Sequence, residues 1–330
     1  LGDKNEALNY YQKSLEIKKE YGDRLLQASS YGQIGNVQLE IGNYSEAINY
    51  LKRSLAIYRD FGHYFNEGLA TLIVIEAYIE TGQFDDAKNL IDQAESILEE
   101  YKDPTIKGLI STYRGTIEFY ELNSDAAISH LDNSIEQFQI AQKPEQTFQA
   151  YLFLIQIYIH MQKFSQAEKS LDKIKSHEKK IQSEELLFRV AALRVFILAL
   201  NDKDISEVIK ERFKNDDLDI QYYISYWYIA LAYSLKDDKL NAKEYFIKAQ
   251  TLLQEKSEKD SNKSYWDAIL KTNPINKEII AQDEKSIKVF TDSLKQETIK
   301  VEISKFCNEC GYSNVSLQPF CPECGNKLKK

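Results

Sequence analysis

Alanine recurs at a fixed interval of 40 residues, and this regularity constrains the possible fold more than any other feature of the sequence. The five positions are Ala7, Ala47, Ala87, Ala127 and Ala167. An apolar residue follows each alanine after four positions, and a mostly small residue follows after seven. These offsets fall on one face of a helix, where small side chains allow a second helix to approach closely. The spacing of these marker alanines predicts a stack of helical units.

Glycines divide each unit into two helices. Gly42 and Gly82 precede their marker alanines by five residues, and Gly22 and Gly62 follow the second helix. Glycine accepts the left-handed backbone conformation that commonly ends a helix. Elsewhere glycine and proline are scarce, with 12 and 5 residues in a chain of 330, so little interrupts the helices. Each unit is therefore predicted to be a helix, a tight turn, a second helix and a longer connection.

This arrangement resembles the tetratricopeptide repeat over roughly residues 1 to 254. The segments 31–36 and 42–51 carry, in order, the aromatic, aliphatic-glycine, glycine-x-aromatic and alanine positions of that family. The spacing is similar to the longer-linker subclass found in kinesin light chains and in bacterial peptide-sensing regulators. The resemblance implies an all-α fold, a right-handed α-solenoid of helix pairs. It also implies that the concave face is built mainly from the first helix of each pair.

Some positions depart from the family pattern. Arg114 stands where the family has an aliphatic residue, Leu122 and Gln162 replace the turn glycine, and the unit from about 177 to 212 lacks its alanine. The Arg114 side chain has two possible roles: it projects into a cavity towards a ligand carboxylate, or it packs past the neighbouring repeat with its head in water. We favour the second interpretation.

The repeat register identifies the residues predicted to line a groove on the concave face. Side chains 11 residues before the marker alanines are polar, and those eight residues before them are apolar. The resemblance implies that these two rows, and a third row 15 residues before the alanines, face the groove. The predicted groove residues are Asn36, Leu39, Leu72, Glu76, Ile79, Thr112, Thr116, Phe119, Leu152, Gln156, Ile159 and Trp227. Polar and apolar rows side by side suit an extended or helical peptide; the alternative is ordinary solvated helix surface.

An aromatic run invites two interpretations. The run comprises Tyr222, Tyr223, Tyr226, Trp227, Tyr228 and Tyr233. It resembles a platform for stacking bases, but aromatic residues at helical spacing more often form core between repeats. We predict core, with only Trp227 on the groove phase. His160 also falls on the groove side.

Four cysteines close to the carboxyl terminus predict a zinc site. They form two pairs with two residues between partners and ten residues between the pairs: Cys307, Cys310, Cys321 and Cys324. Four thiolates at this spacing hold one Zn²⁺ tetrahedrally and leave no open position for water, which indicates a structural ion. The motif resembles the short zinc ribbon of archaeal and bacterial proteins. Cysteines clustered in this way indicate a reducing compartment, and hence the cytoplasm.

Charge and motif content exclude several function classes. The net charge of −9 argues against a surface that binds nucleic acid or anionic lipid. The strongly apolar stretches 186–200 and 69–79 each contain a charged residue, and neither is a charge-free span of about 20 residues, so no membrane span is predicted. The four histidines are scattered, and no glycine-rich phosphate loop or nucleophile motif is present. We therefore predict a protein without enzymatic activity.

Three regions and three hypotheses summarise these predictions. Residues 1–254 form the repeat array, 255–304 capping helices and a linker, and 305–330 the zinc ribbon. The first hypothesis is a scaffold that binds a peptide or partner helix in its groove, with the ribbon as a second docking module. The second is the regulatory or sensor region of a larger signalling or transcription protein, since the sequence opens within a predicted turn between helices. The third, a nucleic-acid-associated factor acting through the ribbon, is the weakest, because residues 255–330 carry little net charge.

Overall fold

The computed structural model describes residues 4–175, 177–213, 222–258, 270 and 273–281, and the regular structure in these ranges is helical. The helices are α1 (Lys4–Glu20), α2 (Arg24–Ile41), α3 (Tyr44–Asp60), α4 (Tyr64–Glu80), α5 (Phe84–Leu98), α6 (Pro104–Tyr120), α7 (Ser124–Ile140), α8 (Pro144–His160), α9 (Phe164–Lys175), α10 (Glu184–Leu200), α11 (Ser206–Arg212), α12 (Tyr223–Leu235), α13 (Lys239–Glu258) and α14 (Pro274–Ala281). Short 3₁₀ turns, Glu99–Tyr101 and Glu178–Lys180, follow α5 and α9.

Local sequence fixes several helix starts. The Asp23 carboxylate accepts a hydrogen bond from the Leu26 backbone N–H at 3.0 Å, and Asp103 caps α6 through the N–H of Thr105 at 2.7 Å. Pro104 occupies the first helical position, where a missing N–H costs nothing. Each cap satisfies a backbone donor that the helix itself leaves unpaired, so these residues define where the inner helices begin.

The marker alanines lie where the repeat pattern predicts, in the contacts between paired helices. Ala47, Ala87, Ala127 and Ala167 are completely buried, while Ala7 on α1 is partly exposed. The approach is so close that a Cβ added to Gly35 of α2 would lie 2.7 Å from a Leu51 carbon of α3. Small residues on both sides thus bring the helices of a pair together, as predicted.

The tight turn keeps one backbone conformation whether or not glycine is present. Gly42 and Gly82 have φ values of 96° and 72°, in the left-handed region. Leu122, Gln162 and Asp202, at the same position of the next three units, have φ values of 67°, 58° and 54°. Repeat geometry therefore continues through units whose sequence has lost the glycine.

Helices pair in sequence order, and the core runs along the stack. The pairs are α2 with α3, α4 with α5, α6 with α7, α8 with α9 and α12 with α13. Leu109 and Tyr120 contact both of the large apolar clusters, which makes the core continuous from one cluster to the next. Helix α11 is short and buries no residue, so α10 packs directly on α12. The result is the predicted all-α helical-repeat solenoid.

One predicted boundary falls inside a helix. The repeat array was expected to end at residue 254, but α13 continues to Glu258. The polar sequence after Gln254 is typical of a linker, yet the Lys256 side chain is buried and keeps the last turn against the rest of the molecule.

Candidate functional site: the concave channel

The inner helices enclose a cavity of about 510 Å³, which we call the channel. Helices α2, α4, α6 and α8 form one wall, and residues of α10, α12, α13 and α14 face them. Eight of the predicted groove residues line it: Asn36, Leu39, Glu76, Ile79, Thr112, Thr116, Phe119 and Gln156. Polar and apolar side chains alternate along the wall, as the repeat register predicts.

The other four predicted groove residues lie elsewhere. Ile159 lines a second, smaller cavity of about 240 Å³. Leu72, Leu152 and Trp227 are buried in the core, with exposures of 3%, 0% and 1%, and placing them in the groove was wrong.

The reason is the direction in which the third predicted row points. In that row, Thr112 Oγ1 lies 2.7 Å from Ser134 Oγ of α7, and a Cβ on Gly32 would meet Ser54 of α3. Residues 15 positions before the marker alanines thus lie at the contact with the outer helix of their own pair, and among Gly32, Leu72, Thr112 and Leu152 only Thr112 also lines the channel. Trp227 packs its ring against Phe246 of α13, with ring centroids 6.0 Å apart.

Sequence reasoning missed a row of cavity-lining residues, except for its last member, His160. Residues seven positions before the marker alanines are Glu40, Glu80, Tyr120 and His160, and each lines one of the two cavities. This row lies four residues after the polar row, which is one helical turn along the same face. Its polar and aromatic composition was the signal that could have identified it.

A buried lysine joins α13 to the early helices α3 and α4 inside the channel. Lys256 Nζ lies 3.8 Å from Glu80 Oε2 and over the Tyr223 ring, while the Tyr44 hydroxyl donates to Glu80 at 3.3 Å. Burial lowers the pKa of Lys256, but the surrounding Tyr44, Tyr223 and Glu80 oxygens outweigh this and leave the pKa raised. The ammonium is therefore a fixed positive charge that joins α13 to α3 and α4.

Glu76 is the channel carboxyl group with the most unusual environment. Desolvation of the carboxyl group in the channel and repulsion from Glu80 and Glu40 raise the pKa of Glu76 to about 7. The Tyr113 hydroxyl donates a hydrogen bond that stabilises the anion and opposes part of this rise. The Glu76 side chain nevertheless remains exposed within the channel. Its neighbours are paired with lysines: Glu40 with Lys4 at 3.9 Å, and Glu80 with Lys256. Glu76 therefore suits a proton or a cationic group of a bound molecule.

Two further sequence interpretations are decided by the structure. Arg114 pairs with Glu95 at 2.8 Å and Asp92 at 3.1 Å, both on α5 of the preceding repeat, which confirms the packing interpretation. The aromatic run is core: Tyr222, Tyr223, Tyr226 and Tyr228 are buried, and Phe188 stacks on Tyr222 with centroids 4.2 Å apart. Base stacking on this run is therefore excluded.

The predicted zinc ligands cannot be placed. Cys307, Cys310, Cys321 and Cys324 lie outside the described residues. Zinc binding there stays a prediction from the sequence.

Comparisons with known proteins agree with the geometry. Residues 1–60 match the family profile of the tetratricopeptide repeat. Among curated proteins, no sequence matches the chain significantly. The fold is a tetratricopeptide-like solenoid.

Solved structures extend this similarity beyond the first repeats. A Rap protein complexed with competence and sporulation factor has a TM-score of 0.62 at 14% identity, covering 76% of this chain and 70% of that protein. Aspartyl phosphate phosphatase F from Bacillus subtilis gives 0.62 at 18%, covering 75% and 65%. The apo quorum sensor NprR from B. thuringiensis gives 0.56 at 17%, covering 74% and 70%. At these low sequence identities, the similarity to the solved structures shows a common fold and nothing about function.

None of the helices in the described ranges combines the length and apolar composition that a bilayer-spanning helix needs.

Proposed function

We propose that this chain is a non-enzymatic interaction scaffold that binds a peptide or a partner helix in the concave channel. The observation that carries the proposal is the channel itself, about 510 Å³ in volume and lined by eight of the residues that the repeat register selects. A peptide needs hydrogen-bonding partners for its backbone and apolar surface for its side chains, and the two rows supply both.

The charges of the wall favour a polar ligand over a purely apolar one. Lys4, Arg189 and Lys256 stand among four glutamates, and most of these charges are paired across short distances. A nearly balanced lining gives no strong attraction to a polyanion, which argues against nucleic acid in the channel. Glu76 is the position that favours a positively charged group.

A selection experiment tests this function. Random peptides displayed on phage are selected on the immobilised full chain, and the affinities of the enriched peptides are measured by fluorescence anisotropy. Replacing Asn36 and Gln156 by alanine removes two channel amides, each worth about 1 kcal/mol in a net hydrogen bond. We expect binding to weaken by about ten-fold or more.

A matched variant separates the channel from the rest of the surface. Asn133→Ala combined with Gln137→Ala removes two amides from the outer helix α7 and should leave peptide affinity unchanged. Enriched peptides that bind both variants as tightly as the original chain would place the binding surface elsewhere and contradict the proposal.

A second candidate is a regulatory or sensor region of a larger cytoplasmic signalling protein. It is favoured by the fold similarity to a Rap protein solved with competence and sporulation factor and to the quorum sensor NprR. Both candidates share the channel as the binding surface. They differ in the effect of binding, since a sensor changes conformation when its ligand arrives, and small-angle scattering with and without a selected peptide measures that change.

The cysteine pairs provide the second docking module of this proposal. We expect one zinc ion per chain, released by a thiol-modifying mercurial and quantified with a colorimetric chelator. Replacing Cys310 by serine removes one of the four ligands and should reduce the bound zinc to a small fraction. A full zinc content in this variant would exclude the four-cysteine site.

A further inference from the structure

Helix α14 lies inside the concave face that the proposed function assigns to a partner. Its Ile275 and Ile279 side chains are 3% and 0% exposed. Ile275 lines both the channel and the smaller cavity, and Glu278 lines the smaller one. The chain thus fills part of its own groove with an eight-residue helix whose two isoleucines, four positions apart, are buried. The helix also packs against α13, where the Gln250 side-chain amide donates to the Ile279 carbonyl at 3.2 Å.

Polar contacts fix α14 to the same row of residues that lines the channel. The Asn273 amide donates to the Tyr120 hydroxyl at 3.2 Å, and Glu278 Oε1 lies 3.0 Å from His160 Nδ1. Tyr120 and His160 belong to the inner row seven positions before the marker alanines. The helix therefore contacts the groove as a bound ligand would, with apolar anchors and polar groups at its ends.

Three features make α14 easier to detach than a core helix. Eight residues are too few for a stable isolated helix, so α14 depends on its contacts. The His160 and Glu278 side chains remain 28% and 27% exposed, so water competes for the contact between them and weakens it. Finally, the fully buried amide of Asn276, whose polar neighbour is Tyr223, makes no well-formed hydrogen bond within the described chain. An unsatisfied amide costs free energy in the docked state.

We propose that α14 is an internal ligand of the groove, and that the partner is a short amphipathic helix that displaces it. The contacts of α14 define this partner: two isoleucine or leucine residues four positions apart, and an acidic residue directly before the second one to meet His160. The inference rests on the proposed function, because it names the occupant of the same concave face.

A peptide that copies residues 270–283 tests the inference. Its fluorescently labelled form is titrated with the full chain and with the full-length variant Ile275→Asp/Ile279→Asp, in which α14 can no longer dock. Since α14 competes within the original chain, its apparent affinity for the peptide is reduced by the fraction of open molecules. We expect the variant to bind the peptide at least about ten-fold more tightly, and a peptide with the same two aspartates not to bind.

A milder variant guards against a folding defect. Glu278→Gln replaces the carboxylate that contacts His160 by a neutral amide and leaves the isoleucines, so we expect a few-fold gain in peptide affinity with an unchanged thermal melt. Hydrogen exchange of the unmodified chain should show α14 amides exchanging faster than those of α13.

Two results would overturn the inference. One is a lack of binding of the α14 peptide by both chain variants, Ile275→Asp/Ile279→Asp and Glu278→Gln. The other is α14 exchange as slow as that of α13, because α14 would then be a permanent part of the core. If peptides selected from the random library bind the channel while the α14 peptide does not, this inference fails and the proposed function stands.

Discussion

At the scale of single residues, the channel shows how identical side chains acquire different properties. Glu40, Glu76 and Glu80 lie on the same wall, but two of them face a lysine and Glu76 faces the Tyr113 hydroxyl. Without a lysine to offset its like-charged neighbours, Glu76 has its pKa raised to about 7. The negative charge of Glu76 is therefore unfavourable in the folded state near neutral pH.

Glu76→Gln should change the dependence of stability on pH. The folded-state pKa of Glu76 lies above its ordinary value of 4.5, so the folded state binds more protons between about pH 4.5 and 7 and loses stability as pH rises through this range. Glutamine removes this loss, and the unfolding free energy above pH 7 should rise by about 1 kcal/mol after allowance for screening by channel water. Urea unfolding at pH 5, 6, 7 and 8 measures the effect.

Glu136→Gln is the control for this prediction. Glu136 is exposed on the outer helix α7, away from the channel. Its replacement should leave the pH profile unchanged. If Glu76→Gln and Glu136→Gln gave the same profile, the environment inferred for Glu76 would be wrong.

Leu122 permits a test of backbone strain at the repeat turn. Its φ of 67° is costly for leucine, and its side chain is 65% exposed, so little burial is lost on truncation. Leu122→Gly should therefore stabilise the fold by about 0.5 kcal/mol, after subtraction of the entropy that glycine adds to the unfolded chain. Gly82→Ala at the equivalent turn should destabilise by about 1 kcal/mol. Thermal and urea unfolding measure both, and equal signs would contradict the argument.

At the scale of helices, the close contact between α2 and α3 depends on a glycine, which has no side chain. A Cβ on Gly35 would lie 2.7 Å from Leu51 Cγ and 3.2 Å from the Ala47 carbonyl oxygen. The leucine can shift by rotation, but the backbone carbonyl cannot. Helix α2 therefore cannot keep its distance from α3 if residue 35 carries a side chain.

Gly35→Ala should accordingly lower the unfolding free energy by about 1–3 kcal/mol, because overpacking moves two helices apart. Gly32→Ala in the same helix is the matched control, since its added Cβ meets only Ser54 Oγ at 3.4 Å. Alanine favours helix over glycine by up to about 1 kcal/mol, so the control should be neutral or stabilising. Chemical denaturation measures the unfolding free energy of both variants. A loss of stability in Gly32→Ala equal to that in Gly35→Ala would refute the packing explanation.

Much of this packing could be predicted from the sequence, because it repeats. From Ala47 to Ala167, the marker alanines and the apolar residues four positions later are buried in every unit, so the period alone locates them. The groove residues were predicted less well. A row 15 positions before the alanines was assigned to the groove, although a rotation of about 40° from the polar row turns it towards the outer helix. Such a small angular difference is not visible in a pattern of polar and apolar residues.

At the scale of the whole molecule, the last long helix contacts early repeats. Lys256 on the last long helix contacts Tyr44 and Glu80 of early repeats, and α14 lies between the facing walls. A sequence pattern could not predict this, because contacts between residues about 180 positions apart depend on the summed rotation of every unit between them. Lys256 itself looked like part of a polar linker. These long-range contacts place late helices opposite the early ones, so the groove becomes a channel with two facing walls that remains partly open.

Replacement of Lys256 by methionine tests this closure. Methionine fills the space but leaves Glu80 and Tyr44 without the cation, and because Glu80 is partly exposed we expect a loss of about 1–2 kcal/mol. Without the contacts of Lys256 with Glu80 and Tyr44, the radius of gyration measured by small-angle scattering should increase. Lys248→Met, on the same helix, removes a lysine that pairs with Glu244 at 2.9 Å and lies over the Tyr245 ring, and it should change neither quantity as strongly. Identical scattering from the original chain and Lys256→Met would show that the channel closes without this contact.

The left-handed turn carries one more consequence, which concerns how such proteins diverge. Because the turn keeps a positive φ with leucine, glutamine or aspartate in place of glycine, the sequence of a repeat can change while its backbone geometry stays the same. The family profile matches only residues 1–60, although helix pairs with the same turn continue far beyond that point. Structural similarity therefore extends further along the chain than sequence similarity. The backbone conformation of the turn is a better marker of such repeats than the presence of glycine.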